Sequence, residues 1–183
     1  MSKKAIIVLA EGFEEIEAVT VIDILRRAGI ETTVAGLDDL SVQGSHGITV
    51  SADVKLDTAG SDFDICIFPG GMPGATHLGC SEKVQALIET MNKDKKIIAA
   101  ICAAPAMVLA PIGILKNKKA TCFPGMQKHF EESTTYVTDN VVTDGNVITS
   151  RGTGTALAFS LAIVEKIIGE ETADKVRKAT LAN

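Results

Sequence analysis

The stretch Lys95–Leu115, KKIIAAICAAPAMVLAPIGIL, holds one cysteine in a run of small and aliphatic residues. Ile97–Leu115 is 19 residues without a charge, formally enough to cross a bilayer. Pro105, Pro111 and Gly113 interrupt it, and its β-branched start gives way to an alanine-rich middle. A buried strand turning into a buried helix fits that pattern better than a membrane span. Cys102 then stands at the junction. Ala100, Ala103 and Ala104 around it are as small as a tight strand-to-helix turn requires. Pro105 suits a first helical turn, where its missing N–H costs nothing.

Outward from that junction, strands alternate with helices. Lys4–Ala10 is a continuous apolar run, the mark of a strand covered on both faces. Over Glu14–Ala28 the period becomes helical, with Ala18, Val21, Ile22, Leu25 and Ala28 on one stripe and Gly29 as the stop. ETTVAG reads as a second strand, and VQGSHGITVSAD as a hairpin bent at Gly44 and Gly47. DFDICIFPGG is a third buried strand. Ser81–Met91 is a helix capped by Ser81, NVITS a further strand, and GTALAFSLAIVEKIIG a long helix, with a short helix from Glu171. This alternation predicts an α/β protein: a three-layer sandwich of one mostly parallel sheet with helices on both faces, forming a single domain over residues 1–183.

Bulk composition narrows the function. With 46% hydrophobic and 22% charged residues, the chain is that of an ordinary globular domain. A net charge of -5 without a basic run argues against nucleic acid as a partner. The basic-then-apolar start MSKKAIIVLA has the order of a signal peptide, but its apolar part is short and an acidic cluster follows, so it reads as the first strand; the expected location is cytoplasmic, with no membrane partner. Cys66, Cys80, Cys102 and Cys122 are dispersed and form no metal-ligand spacing, so neither a metal nor a disulfide is expected.

In sheets of this kind, function gathers beyond the carboxyl ends of the strands. Three such ends matter here: EGFEEIEA after the first strand, PGGMPGA after the third, and Cys102. At a helix N-terminus the macrodipole favours thiolate, which predicts a lowered thiol pKa. Against this, free cysteine is among the most buried residue types, so a core role is the competing reading. Cys122, near a strand end, is a second nucleophile candidate. One of Glu11, Glu14, Glu15 and Glu17 can face the thiol as an acid and base, while the others do no more than complement the dipole. Spacing does not say which. Glycine N–H groups after the third strand are candidate oxyanion donors.

Taken together, AEGFEEIEAVTVIDILRRAGI, PGGMPGA, IAAICAAPAMVLA, TSRGTGT and ALAFSLAIVEKIIG resemble the ThiJ/PfpI superfamily, in its branch of YajL-like and Parkinson-linked deglycase proteins. The resemblance runs nearly end to end. It implies a flavodoxin-like fold, a homodimer and a cofactor-free, cysteine-dependent activity. That activity is deglycase or glutathione-independent glyoxalase, on glyoxal, methylglyoxal or their early adducts. It also implies that Cys102 is the nucleophile, Glu17 its protonated partner, and the Gly71 and Ala103 amides the oxyanion donors. Gly70, Ser150, Arg151 and Phe123 would line the site.

The departures are specific. Phe123 stands where the Parkinson-linked proteins carry histidine. Thr153 replaces the usual proline of the glycine-rich loop. His46 takes the place of an arginine that reaches across the dimer interface, and is therefore a dimer-contact candidate. The peptidase-like members carry histidine directly after the cysteine, where this chain has Ala103. The glutaminase-like members need a downstream His-x-Glu, and His129 lies in QKHFEE. The resemblance thus disfavours both peptidase and amidase chemistry. The alternative it leaves is a redox-responsive chaperone or stress sensor that uses the same cysteine. RGTGTA lacks both the third glycine of a dinucleotide fingerprint and the lysine of a P-loop.

Overall fold

A computed structural model describes residues 2–182. Strand β1 (Lys4–Leu9) leads into helix α1 (Glu15–Arg27) and strand β2 (Glu31–Gly36). A hairpin of β3 (Ser41–Gln43) and β4 (Thr49–Ser51) follows, then the two-residue β5 (Val54–Lys55) and β6 (Ile65–Phe68). Helices α2 (Gly74–Cys80) and α3 (Glu82–Lys93) lead to β7 (Ile97–Ile101). Beyond it come the short strands β8 (Lys119–Ala120) and β9 (Thr135–Tyr136), then β10 (Val141–Asp144) and β11 (Val147–Ser150). Helices α4 (Ala156–Ile167) and α5 (Glu170–Ala179) close the order.

Seven strands form one sheet in the order β10-β11-β7-β6-β1-β2-β5. Neighbours run parallel except at the edge, where β10 pairs antiparallel with β11. Alternate residues of β1 feed two separate cores. Ala5, Ile7 and Leu9 pack with Val21, Leu25, Phe159 and Ile163 of α1 and α4. Ile6 and Val8 pack with Leu78, Val84 and Ile88 of α2 and α3 on the other face. Both faces of the central strands are covered, which is why their sequence is uninterruptedly apolar. The architecture is a flavodoxin-like α/β/α sandwich, as the alternation predicts.

One local reading needs correction. AAPAMVLA is not a regular α-helix: Pro105–Leu109 is a π-type turn, followed by a 3-10 turn at Ala110–Ile112. The chain after PGGMP is helical as well, so Cys80 ends α2 and stands just ahead of the Ser81 cap of α3. The irregular stretch before Val147 carries three short strands. Among the described residues, no helix is long and apolar enough to cross a membrane.

Candidate active site

The site is assembled at the carboxyl ends of β1, β6, β7 and β11. Cys102 follows β7 with φ of 63°, a left-handed conformation that costs a non-glycine residue about 1–2 kcal/mol. The surrounding backbone holds it there. Its N–H donates to the Ser150 carbonyl at 2.9 Å, and its own carbonyl accepts the Phe123 N–H at 2.8 Å. Strand β11 on one side and the segment after β8 on the other thus fix the turn. The thiol is turned out of the sheet, half-buried, and the Ala103 and Gly71 N–H groups bear on its sulfur.

Glu17 lies on the buried stripe of α1, four residues before Val21, and is fully buried (0% exposed). Its Oε2 accepts the Gly70 N–H at 2.8 Å, while Oε1 has no hydrogen-bond partner among the described residues. Gly70 separates the two groups at close quarters. A Cβ there would sit 2.6 Å from Cys102 Cβ and 2.9 Å from Glu17 Oε2. Gly71 is equally confined: its φ is 87°, and a Cβ would come within 2.4 Å of the Glu14 N.

Electrostatics couple thiol and carboxyl. Burial pushes Glu17 up to about 7, against the opposing hydrogen bonds from Gly70 and Cys102. Burial, with the Glu17 charge added, pushes the Cys102 thiol up to about 12. The lowered thiol pKa expected from a helix dipole is therefore overturned. Desolvation, with the Glu17 carboxylate beside it, outweighs the Ala103 and Gly71 N–H groups. The two groups titrate as one system: once the first proton is lost, the remaining one rests mainly on the sulfur, with thiolate beside neutral carboxyl as the minor tautomer.

The remaining predicted residues surround this pair at different distances. Phe123 is 50% exposed, with its ring beside Gly152. Ser150 is buried; its Oγ bonds the Asn140 carbonyl at 2.6 Å and Thr155 Oγ1 at 2.7 Å, so it braces the loop. Arg151 is half-buried with an unpartnered Nε, and its charge acts on Cys122. His46 lies on the β3–β4 hairpin, away from the thiol: its backbone N–H donates to Glu15 Oε1 at 2.6 Å, and Nδ1 is 3.0 Å from Glu15 Oε2. Burial would raise Glu15, but these bonds and the Ile48 N–H hold it at about 2. Of the other cysteines, Cys66 and Cys122 are buried with thiols pushed up by desolvation. Cys80 is exposed and borders a cleft with Glu11, Asp38 and His77, in which Cys102 has no part.

Sequence reasoning passed over Gly152, which faces both Cys102 and Phe123; its place inside TSRGTG, directly after Ser150 and Arg151, was the available signal. A model of the DJ-1/PfpI family matches residues 3–166. The chain belongs to the DJ-1/PfpI family. Drosophila melanogaster DJ-1beta is 43% identical over 184 residues, covering 99% of this chain and 98% of that protein. Its crystal structure superposes with a TM-score of 0.96 at 42% identity, covering 100% of both chains. Arabidopsis thaliana Protein DJ-1 homolog B is 44% identical over 175 residues, 94% of this chain but only 40% of that longer DJ-1/PfpI protein. The chain also resembles the Caenorhabditis elegans Glutathione-independent glyoxalase DJR-1.2, at 38% identity over 96% of this chain and 95% of that one.

Proposed function

We propose that this DJ-1/PfpI protein is a cysteine-dependent glyoxalase or deglycase. Its substrates are small 2-oxoaldehydes, or their early adducts on amino and thiol groups. The observation that carries this reading is the pairing of a half-exposed, left-handed Cys102 with a fully buried Glu17 whose Oε1 has no partner. A carboxyl at that position, with a pKa of about 7, can both give and take a proton near neutrality.

The chemistry is an internal redox followed by hydrolysis. With the shared proton on Glu17, the Cys102 thiolate adds to the aldehyde carbon. The new oxyanion is held by the Gly71 and Ala103 N–H groups and takes the Glu17 proton, giving a thiohemiacetal. Glu17 then removes the proton from that carbon and passes it to the neighbouring ketone oxygen as the electron pair left behind forms an enediol. The ionised Glu17 next takes the hydroxyl proton of the first carbon and delivers it to the second. Reprotonation at the second carbon yields a 2-hydroxyacyl thioester: the first carbon has been oxidised and the second reduced, with no external electron acceptor. Water cleaves the thioester, releasing the hydroxy acid and the thiol. Cys102→Ser and Glu17→Gln should each remove nearly all turnover. Activity surviving in the serine variant contradicts the mechanism.

The working unit we propose is a homodimer. Ile16, Val19 and Ile48 are exposed apolar side chains on α1 and the hairpin, which Glu15 ties together through its bond from the Ile48 N–H at 3.3 Å. His46 stands on the same rim. A redox-sensing role rests on the same pair, because the unpartnered Glu17 Oε1 can hydrogen-bond an oxidised Cys102 sulfur. Loss of dicarbonyl turnover with retention of peroxide reactivity would favour it.

A further inference from the structure

We infer that the space over Gly152, between the Cys102 sulfur and the Phe123 ring, is a side-chain slot. It makes the site select 2-oxoaldehydes that bear a flat or apolar substituent over glyoxal, which bears none. The inference rests on the dicarbonyl reading for its substrate class, and on geometry for the slot. A Cβ built on Gly152 would lie 4.0 Å from Cys102 Sγ and 3.6 Å from Phe123 Cδ2. Sulfur and ring therefore converge on one small volume that only the missing side chain leaves open.

An aldehyde carbon bonded to Sγ has three further directions. Its oxygen turns to the Gly71 and Ala103 N–H groups, and its hydrogen must face Glu17, which removes it. The third bond leads to the second carbon, which stays within reach of Glu17, and the substituent that carbon carries points on toward the open side of the thiol. Gly152 and Phe123 bound that side. The ring is held in register with the nucleophile, because the Phe123 N–H bonds the Cys102 carbonyl at 2.8 Å. Half of Phe123 is exposed even so, an unsatisfied aromatic face beside a reactive thiol.

Gly152 provides a clean probe. Its φ of 163° and ψ of -168° are extended backbone that any residue adopts, so the glycine is not required by conformation. Both Cβ distances are ordinary van der Waals contacts, so alanine fits without displacing its neighbours. The methyl would simply occupy the slot. Phe123→Ala does the opposite and removes its wall.

The experiment compares kcat/KM for phenylglyoxal with that for glyoxal in wild type, Gly152→Ala and Phe123→Ala, with thermal melts to verify folding. The phenylglyoxal-to-glyoxal ratio should fall about tenfold in Gly152→Ala and about fivefold in Phe123→Ala. A second readout needs no turnover: alkylation of the Cys102 peptide by phenacyl bromide against iodoacetamide, followed by mass spectrometry. In each reagent the sulfur displaces halide and its proton goes to solvent. The aryl preference at Cys102 should fall in the same two variants. If alkylation shows that fall while no dicarbonyl is turned over, the slot stands and the glyoxalase reading fails. Ratios within about twofold of wild type in both variants overturn the slot.

Discussion

At the scale of the residue, the decisive relation is between two acids that share a proton. The Cys102–Glu17 pair loses its first proton near pH 7, and only the singly protonated pair contains, as its minor tautomer, thiolate beside neutral carboxyl. We therefore predict that kcat/KM for methylglyoxal rises as pH increases through about 7. Replacing Glu17 by Gln should abolish that limb and leave only a residual rise at higher pH, where the buried thiol itself ionises. A pH–rate profile of both proteins checks this. Stability follows the opposite course. Glu17 ionises at about 7 when folded against an unperturbed 4.5, so its contribution is full below pH 4.5 and is lost as pH rises through 7. Across that interval the loss is about 3 kcal/mol. Glu17→Gln should match wild type in denaturant melts at pH 4 and exceed it by up to about 3 kcal/mol at pH 9. Equal stabilities at pH 9 would mean that the carboxylate is solvated. Which glutamate faces the thiol was open from spacing alone, and burial does not decide it, because Glu14, Glu15 and Glu17 are all buried in the fold. The bond from the Gly70 N–H singles out Glu17; Glu15 turns instead to the hairpin, a partner 31 residues away that no helical period encodes.

At the scale of the element, strand ends set the active geometry and the helices behind them set stability. Gly70→Ala would drive a methyl into Cys102 Cβ and Glu17 Oε2 and part the pair. We expect activity to fall at least about a hundredfold, with a stability loss of about 1–3 kcal/mol from overpacking. Ser81→Ala is the contrasting case. Ser81 Oγ caps α3 by accepting the Val84 N–H at 3.4 Å, so its loss should cost about 1 kcal/mol and leave turnover alone. Parallel denaturant melts and initial rates separate the two outcomes. The central strands and the amphipathic helices were legible, because burial on both faces or along one stripe leaves an unmistakable pattern in KAIIVL or in Ala18–Leu25. Strands β8 and β9, two residues each, carry no period to read; they exist because Lys119 and Ala120 meet Thr135 and Tyr136 across a long connection. The π-type turn after Cys102 was equally hidden: Pro105 and a run of small residues suit any helical pitch, and packing against α2 selects among them. There a Gly79 Cβ would lie 2.1 Å from the Met107 carbonyl oxygen.

At the scale of the whole molecule, the sheet brings together Glu17, Gly70–Gly71, Cys102 and Gly152 from four distant parts of the chain. The union of Glu17, Gly70–Gly71 and Cys102 was legible only through the order of strand ends, together with the family resemblance; Gly152 was not. The same scale governs assembly. Ile16 and Ile48 are 57% and 58% exposed on adjoining elements, apolar area that a second copy would cover. Ile16→Lys combined with Ile48→Glu should shift sedimentation from dimer to monomer while Cys102 remains folded and alkylatable; an unchanged dimer would move the interface elsewhere. The central claim, that Cys102 with Glu17 converts a 2-oxoaldehyde to a hydroxy acid, is tested most directly by following lactate itself. Methylglyoxal is supplied without glutathione to wild type, Cys102→Ala and Glu17→Gln. Lactate formed by wild type and lost in both variants is the predicted result. Lactate formed equally by all three, or by none, contradicts the account.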